Sequence, residues 1–212
     1  MPWILTIDAP SIELLRDGSE AMIQFVALLQ EQAELVVELQ RQRAEWRAPT
    51  LIHGDLTWDN LLVVAGQQRE DALRLVDWEM AGLGDPAWDA GSFISEFLTS
   101  WVFSIPVAPG EMTARTELAT FPLERAQPAM RAFWNAYTAE RDISDAVQHS
   151  LLNRIVRCAA VRLLQSAIER LQGETRLTGH AILLLQLSLN ILRAPGDAAH
   201  RLILPPPAPE AT

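Results

Sequence analysis

Leu51-Ile52-His53-Gly54-Asp55-Leu56-Thr57-Trp58-Asp59-Asn60, followed at once by Leu61-Leu62-Val63-Val64, is the stretch on which the fold turns. Asp55 and Asn60 lie five positions apart, in a loop that leaves one short apolar strand and enters another. A turn of that length can fold both side chains into one small space. Farther on, Leu73 to Val76 reads as a second, buried strand that ends in Asp77, with Trp78 and Glu79 following. Two carboxylates and an amide converging at strand ends make an oxygen-rich site, which suits Mg²⁺ better than zinc.

Outward from that stretch, Ala65 to Ala72 is expected to connect strands 61–64 and 73–77 into a small antiparallel hairpin. Beyond it comes Gly82-Leu83-Gly84-Asp85-Pro86-Ala87-Trp88-Asp89. The glycines allow a sharp backbone path, and Asp85 before Pro86 is a good cap and first position for a helix running to about Trp101.

The order His-Gly-Asp-x-x-x-x-Asn, Asp-Trp-Glu, Gly-Asp-Pro-x-x-Asp resembles the aminoglycoside phosphotransferase and choline kinase family. The same logic serves protein kinases, where a catalytic-loop Asp accepts the substrate hydroxyl proton while an Asn and a second Asp hold the metal ions on ATP. The resemblance implies that Asp55 is the catalytic base and that Asn60 and Asp77 are Mg²⁺ ligands. It implies structural work for His53 and Asp89, Asp89 anchoring amides of the catalytic loop. Glu79 reads either as a contact to metal-bound water or as an outward charge at a strand end. Trp58 and Asp59 stand where the family often has small residues and are candidates for the substrate cleft; Trp58 reads equally as packing on the next helix. The fold implied is α+β and mostly α-helical, a protein-kinase-like C-terminal lobe with a small antiparallel β-hairpin at the catalytic site.

Composition narrows the field. The formal charge is −10, and all 17 basic residues are arginines. No basic stripe of the kind nucleic-acid binding needs is present. Cys158, the single cysteine, excludes an intramolecular disulfide and reads as core filler within an apolar helical stretch. Met1 to Asp8 lacks the pattern of a signal peptide, and the apolar run Ala181–Leu192 falls short of the roughly 17–25 residues that span a bilayer. The expectation is a cytoplasmic protein with no membrane partner.

Trp3 to Ile7 reads as an extended entry segment, and Ser11 or Asp8 as the cap of a first helix. With Ser19 as cap, one amphipathic helix is expected from Glu20 to Arg47, burying Met22, Phe25, Val26, Leu29, Ala33, Val36 and Leu39. Glu34, Glu38, Arg41 and Glu45 would form its solvent face, and Pro49 would end it. Phe103 to Gln127 is interrupted by prolines, and in the family the equivalent region often helps form the substrate side of the cleft. Pro128 is expected to open a helix to about Arg141. A long helix capped at Asp142 or Ser144 should end at Gly173, and a last one, capped by Thr178, should run from Gly179 to Arg193. The chain divides into an N-terminal segment (1–19), a phosphotransferase C-lobe-like domain (20–195) and a Pro-rich, disordered tail (196–212).

By resemblance, then, the chain is an ATP- and Mg²⁺-dependent kinase that phosphorylates a small-molecule hydroxyl. A complete member also has an N-terminal lobe with a phosphate-covering loop and an ATP-orienting lysine. The fifty or so residues before His53 carry no glycine-rich run, and the chain contains no lysine. The nucleotide lobe would come from a separate chain or a homo-oligomer partner, or was lost from a fragment or through an alternative gene start. The alternative is a non-catalytic binding or regulatory module, or a truncated pseudokinase, that keeps the C-lobe core.

Overall fold

The computed structural model describes residues 1–64, 72–107 and 116–204. The connection expected between the hairpin strands and the proline-rich end of the chain lie largely outside these residues.

The architecture follows from two helices that cross closely. Helix α4 (Pro86–Ser104) starts where its sequence says it should: the Asp85 carboxylate accepts the Ala87 N–H at 3.0 Å, and Pro86 occupies the first turn. It packs on α6 (Asp145–Leu171) through Gly91. A Cβ at Gly91 would lie 2.6 Å from the Cys158 Cβ and 2.8 Å from backbone atoms of Ile155 and Ala159, so only glycine admits this approach. Around the pair stand α5 (Leu123–Glu140), α7 (Gly179–Arg193) and α8 (Pro195–Leu202). The core runs through Ile94, Leu98, Met130, Ile155, Leu163, Leu184 and Ile191. Among the described residues no helix is long and apolar enough to cross a membrane.

The N-terminal segment joins the same core. Trp3–Thr6 forms a 3₁₀ turn, not the extended entry expected, because it buries Ile4 and Leu5 against the helices. Ser11 caps α1 (Ile12–Asp17) and Ser19 caps α2 (Glu20–Gln30). Asp8 is freed for an ion pair with Arg43, Oδ2 to Nη2 at 2.9 Å.

The single helix expected over 20–47 is two. Gln32, at φ −87° and ψ 89°, leaves helical geometry, and α3 (Ala33–Glu45) starts after it. The break rotates the inward face, so that Leu35, Glu38, Leu39 and Gln42 are buried where Val36 was expected inside and Glu38 outside. Apolar residues are frequent enough on both sides to mimic one continuous stripe. Helix α5 begins five residues before Pro128, which therefore lies inside the helix rather than opening it and removes one backbone N–H donor there, and α8 follows α7 where no helix was expected.

Strand content is small. Strand β1 (Thr50–Ile52) pairs antiparallel with β4 (Gly82–Gly84), Leu51 opposite Leu83. The expected hairpin is β2 (Leu61–Val64) with β3 (Ala72–Leu75), Val63 opposite Leu73. The third strand ends at Leu75 and is not the buried strand expected. Val63 and Leu73 are 68% and 69% exposed, and Arg74 interrupts the apolar run. A hydrophobic sequence states what a strand can bury, not that another layer covers it.

Candidate active site

The loop between β1 and β2 is held from below by α4. Asp89, one turn into that helix, accepts the backbone N–H of His53 at 2.6 Å and of Gly54 at 3.0 Å. The neighbouring Trp88 donates its indole N–H to the Gly54 carbonyl at 3.2 Å. Burial pushes the Asp89 carboxyl upward, opposed by those two amide bonds. Gly54 sits at φ +84°, and a Cβ there would approach the Met80 carbonyl oxygen to 2.6 Å. The glycine of the His-Gly-Asp run is thus required twice, by its dihedral and by the crowding.

His53 is buried, with its ring threaded through the loop. Its Nδ1 accepts the Asp55 N–H at 3.3 Å, so Nε2 carries the proton and donates to the Val76 carbonyl at 2.8 Å. Trp78 packs edge-on against the ring, centroids 4.9 Å apart. With both nitrogens engaged by backbone, this histidine cannot serve as a free general base.

Asn60, also buried, donates Nδ2 to the Asp55 carbonyl at 2.9 Å and to its Oδ2 at 3.3 Å. Its backbone carbonyl accepts the Val76 N–H at 3.0 Å. Val76 is therefore clamped on both sides, by Asn60 and by His53, and Asp77 is the next residue. Asp77 adopts the left-handed region, φ 61° and ψ 64°, and its side chain is exposed. That conformation is unusual for a non-glycine residue and breaks the strand direction immediately after the clamp. The loop thus brings Asp55 and Asn60 into hydrogen-bond contact and joins Asp77 to them through one peptide.

Trp58 lies over α4, its ring 4.7 Å from Phe97 and 5.4 Å from Phe93, its indole N–H donated to Ser100 at 3.2 Å. Packing on the next helix accounts for these contacts. Asp59 and Glu79 are exposed. Among the described residues no three His, Cys, Asp or Glu side chains gather into a metal-holding cluster.

Two participants escaped sequence reasoning. Arg162, only 3% exposed, donates Nη2 to Asp55 Oδ1 and Nη1 to Glu169 Oε1, both at 3.0 Å. It falls on the apolar stripe of α6, seven residues after Ile155 and three after Ala159. A charge inside an apolar stripe needs a buried partner, and that signal was legible. Glu96 accepts the Trp58 N–H at 3.0 Å, and burial pushes its carboxyl upward.

A search of curated proteins returned no match. A family model described as the phosphotransferase enzyme family matches residues 7–149, more than half of the chain and the whole of the loop, hairpin and α4 assembly. With that match laid over the clamped Asp55–Asn60 loop, the chain belongs to the phosphotransferase enzyme family.

Proposed function

We propose that this chain is the catalytic lobe of a Mg²⁺-dependent kinase that moves the γ-phosphoryl group of ATP to a hydroxyl of a small molecule. The observation that carries the reading is the Asp55–Asn60 hydrogen-bonded pair, tied through Val76 to Asp77. In this reading the Asp55 carboxylate accepts the proton of the attacking hydroxyl. Arg162 and Asn60 each take one of its oxygens and fix its orientation. The donor types suit Mg²⁺: with Nδ2 of Asn60 turned to Asp55, its Oδ1 is left for a cation, and Asp77, the residue after the clamped Val76, carries an exposed carboxylate. Both are hard oxygen ligands. When bound, the metal would neutralise charge on the nucleotide phosphates.

The residues that would grip adenine and the inner phosphates are not supplied by a lysine, since the chain has none. In this reading they come from an N-lobe outside this sequence, on a separate chain, on a homo-oligomer partner or on a longer form of this one. Phosphoryl transfer depends chiefly on positioning and charge stabilisation, so the chain alone should be nearly inactive. Adding a complementary N-lobe, in trans or fused, should restore transfer to a hydroxyl acceptor, and Asp55→Asn should abolish it. Robust phosphorylation by the 212-residue chain alone would overturn the missing-lobe part; restored activity surviving Asp55→Asn would overturn the base.

A second reading, a non-catalytic binding module, is favoured by one observation. Asp55 is already engaged by Arg162, an arrangement that a purely structural loop could also use. Mg²⁺ with ATP, titrated against wild type and Asp77→Asn, separates the two. Equal responses remove Asp77 from any metal site.

A further inference from the structure

Away from the loop, the end of α3, the cap of α4 and the first half of α6 enclose a cavity of about 310 Å³. Its wall carries Arg41, Arg154 and Arg157, with Ser150, Asn153 and the Trp46 ring. Glu45 and Asp85 share the wall, and Glu38 lies 3.6 Å from Arg157 and 3.7 Å from Arg41, so each arginine has a carboxylate within ion-pair range. None of Asp55, Asn60 or Asp77 lines it.

Two of the arginines hydrogen-bond to carboxylates, and the third, Arg157, has a longer ion pair with Glu38. Arg41 Nε donates to Glu45 at 2.9 Å, and Arg154 pairs with Asp85 while donating to the Glu45 carbonyl at 2.8 Å. Arg157 is different. Its side chain is 16% exposed, and Nε and Nη1 are buried with no hydrogen-bond acceptor. The carboxylate beside it, Glu38, has Oε1 3.6 Å from Nη1, beyond hydrogen-bond range. That carboxylate is already divided, accepting from Gln42 at 3.1 Å and lying 3.7 Å from Arg41. A guanidinium cannot lose its proton to escape burial. Its charge is met only by that shared, more distant carboxylate, which leaves it able to attract an anion that enters the cavity.

We propose that this cavity binds a small oxyanion, a carboxylate or phosphate group, with Arg157 as its main countercharge. Asn153 supplies a further donor, and Trp46 offers an apolar wall to the rest of the ligand. The volume lies at the lower end of the roughly 300–1,000 Å³ typical of small-molecule sites, which suits a compact ligand. The assignment stands independently of phosphoryl transfer.

The full chain would be titrated calorimetrically with inorganic phosphate and, separately, with malonate, at ionic strength held constant with sodium chloride. Saturable binding of either probe, weakened at least about tenfold in Arg157→Gln, is the expected result. Phosphate alone, malonate alone or both binding identifies which oxyanion the site takes. Ser150→Trp, at the exposed rim, blocks the cavity with Arg157 in place and should abolish binding even where Arg157→Gln fails to fold. No saturable binding of either probe, or binding unchanged in the variants, overturns the proposal.

Discussion

Asp89→Ala tests the loop's anchorage most directly. The carboxylate accepts two backbone N–H groups, from His53 and Gly54, at 2.6 and 3.0 Å. Hydrogen bonds to a charged acceptor are worth about 1.5–3 kcal/mol each, and a buried donor left unpaired costs about 1–3 kcal/mol. Water entering the space left by the carboxylate would satisfy part of that loss, so the expected destabilisation is about 2–5 kcal/mol. With a urea slope of about 2 kcal/mol/M, the unfolding midpoint should fall by roughly 1–2.5 M. Urea melts followed by circular dichroism measure it, with the exposed Asp59→Ala as a control expected within about 0.5 kcal/mol of wild type. Amide hydrogen exchange supplies the local reading: His53 and Gly54 should lose protection more than residues of β1's neighbour β4. A midpoint unchanged to within about 0.2 M, with both amides still protected, would refute the anchoring role.

Gly91→Ala should destabilise by about 1–3 kcal/mol, read by the same melts, because the new methyl meets α6 backbone that cannot move aside alone. Burial pushes the Cys158 thiol up to about 12, so it should resist iodoacetamide at pH 8 in the native chain and react in urea; rapid native labelling would contradict its buried setting. The Arg43 hydrogen bond holds Asp8 below the usual carboxylate range, so this pair stabilises the fold above the unfolded carboxylate pKa and loses its effect as pH falls through the lower folded value. Asp8→Asn should therefore flatten that part of the acid limb, measured as melting temperature between pH 2 and 7, which are roughly the bounds set by an ordinary aspartate. An unchanged acid limb would show the pair to be energetically silent.

What the sequence determined by itself is what the chain settles locally. The contact of Asp55 with Asn60 needs only a five-residue loop, and the Ser11, Ser19, Asp85 and Thr178 caps need only the next turn of helix. The β2–β3 pairing follows from two apolar runs joined closely in sequence. Tertiary structure alone decided what depends on distant partners. Arg162 reaches Asp55 across 107 positions, and β1 finds β4 rather than standing alone. The break at Gln32 turns Glu38 and Gln42 inward, where Glu38 lies 3.6 Å from Arg157 and Gln42 donates to the Arg157 carbonyl. Exposure of Val63 and Leu73 likewise reflects which layers surround the hairpin. Local dihedral preferences and caps act over a few residues and can be read in one dimension, whereas burial is a property of what the rest of the chain brings alongside.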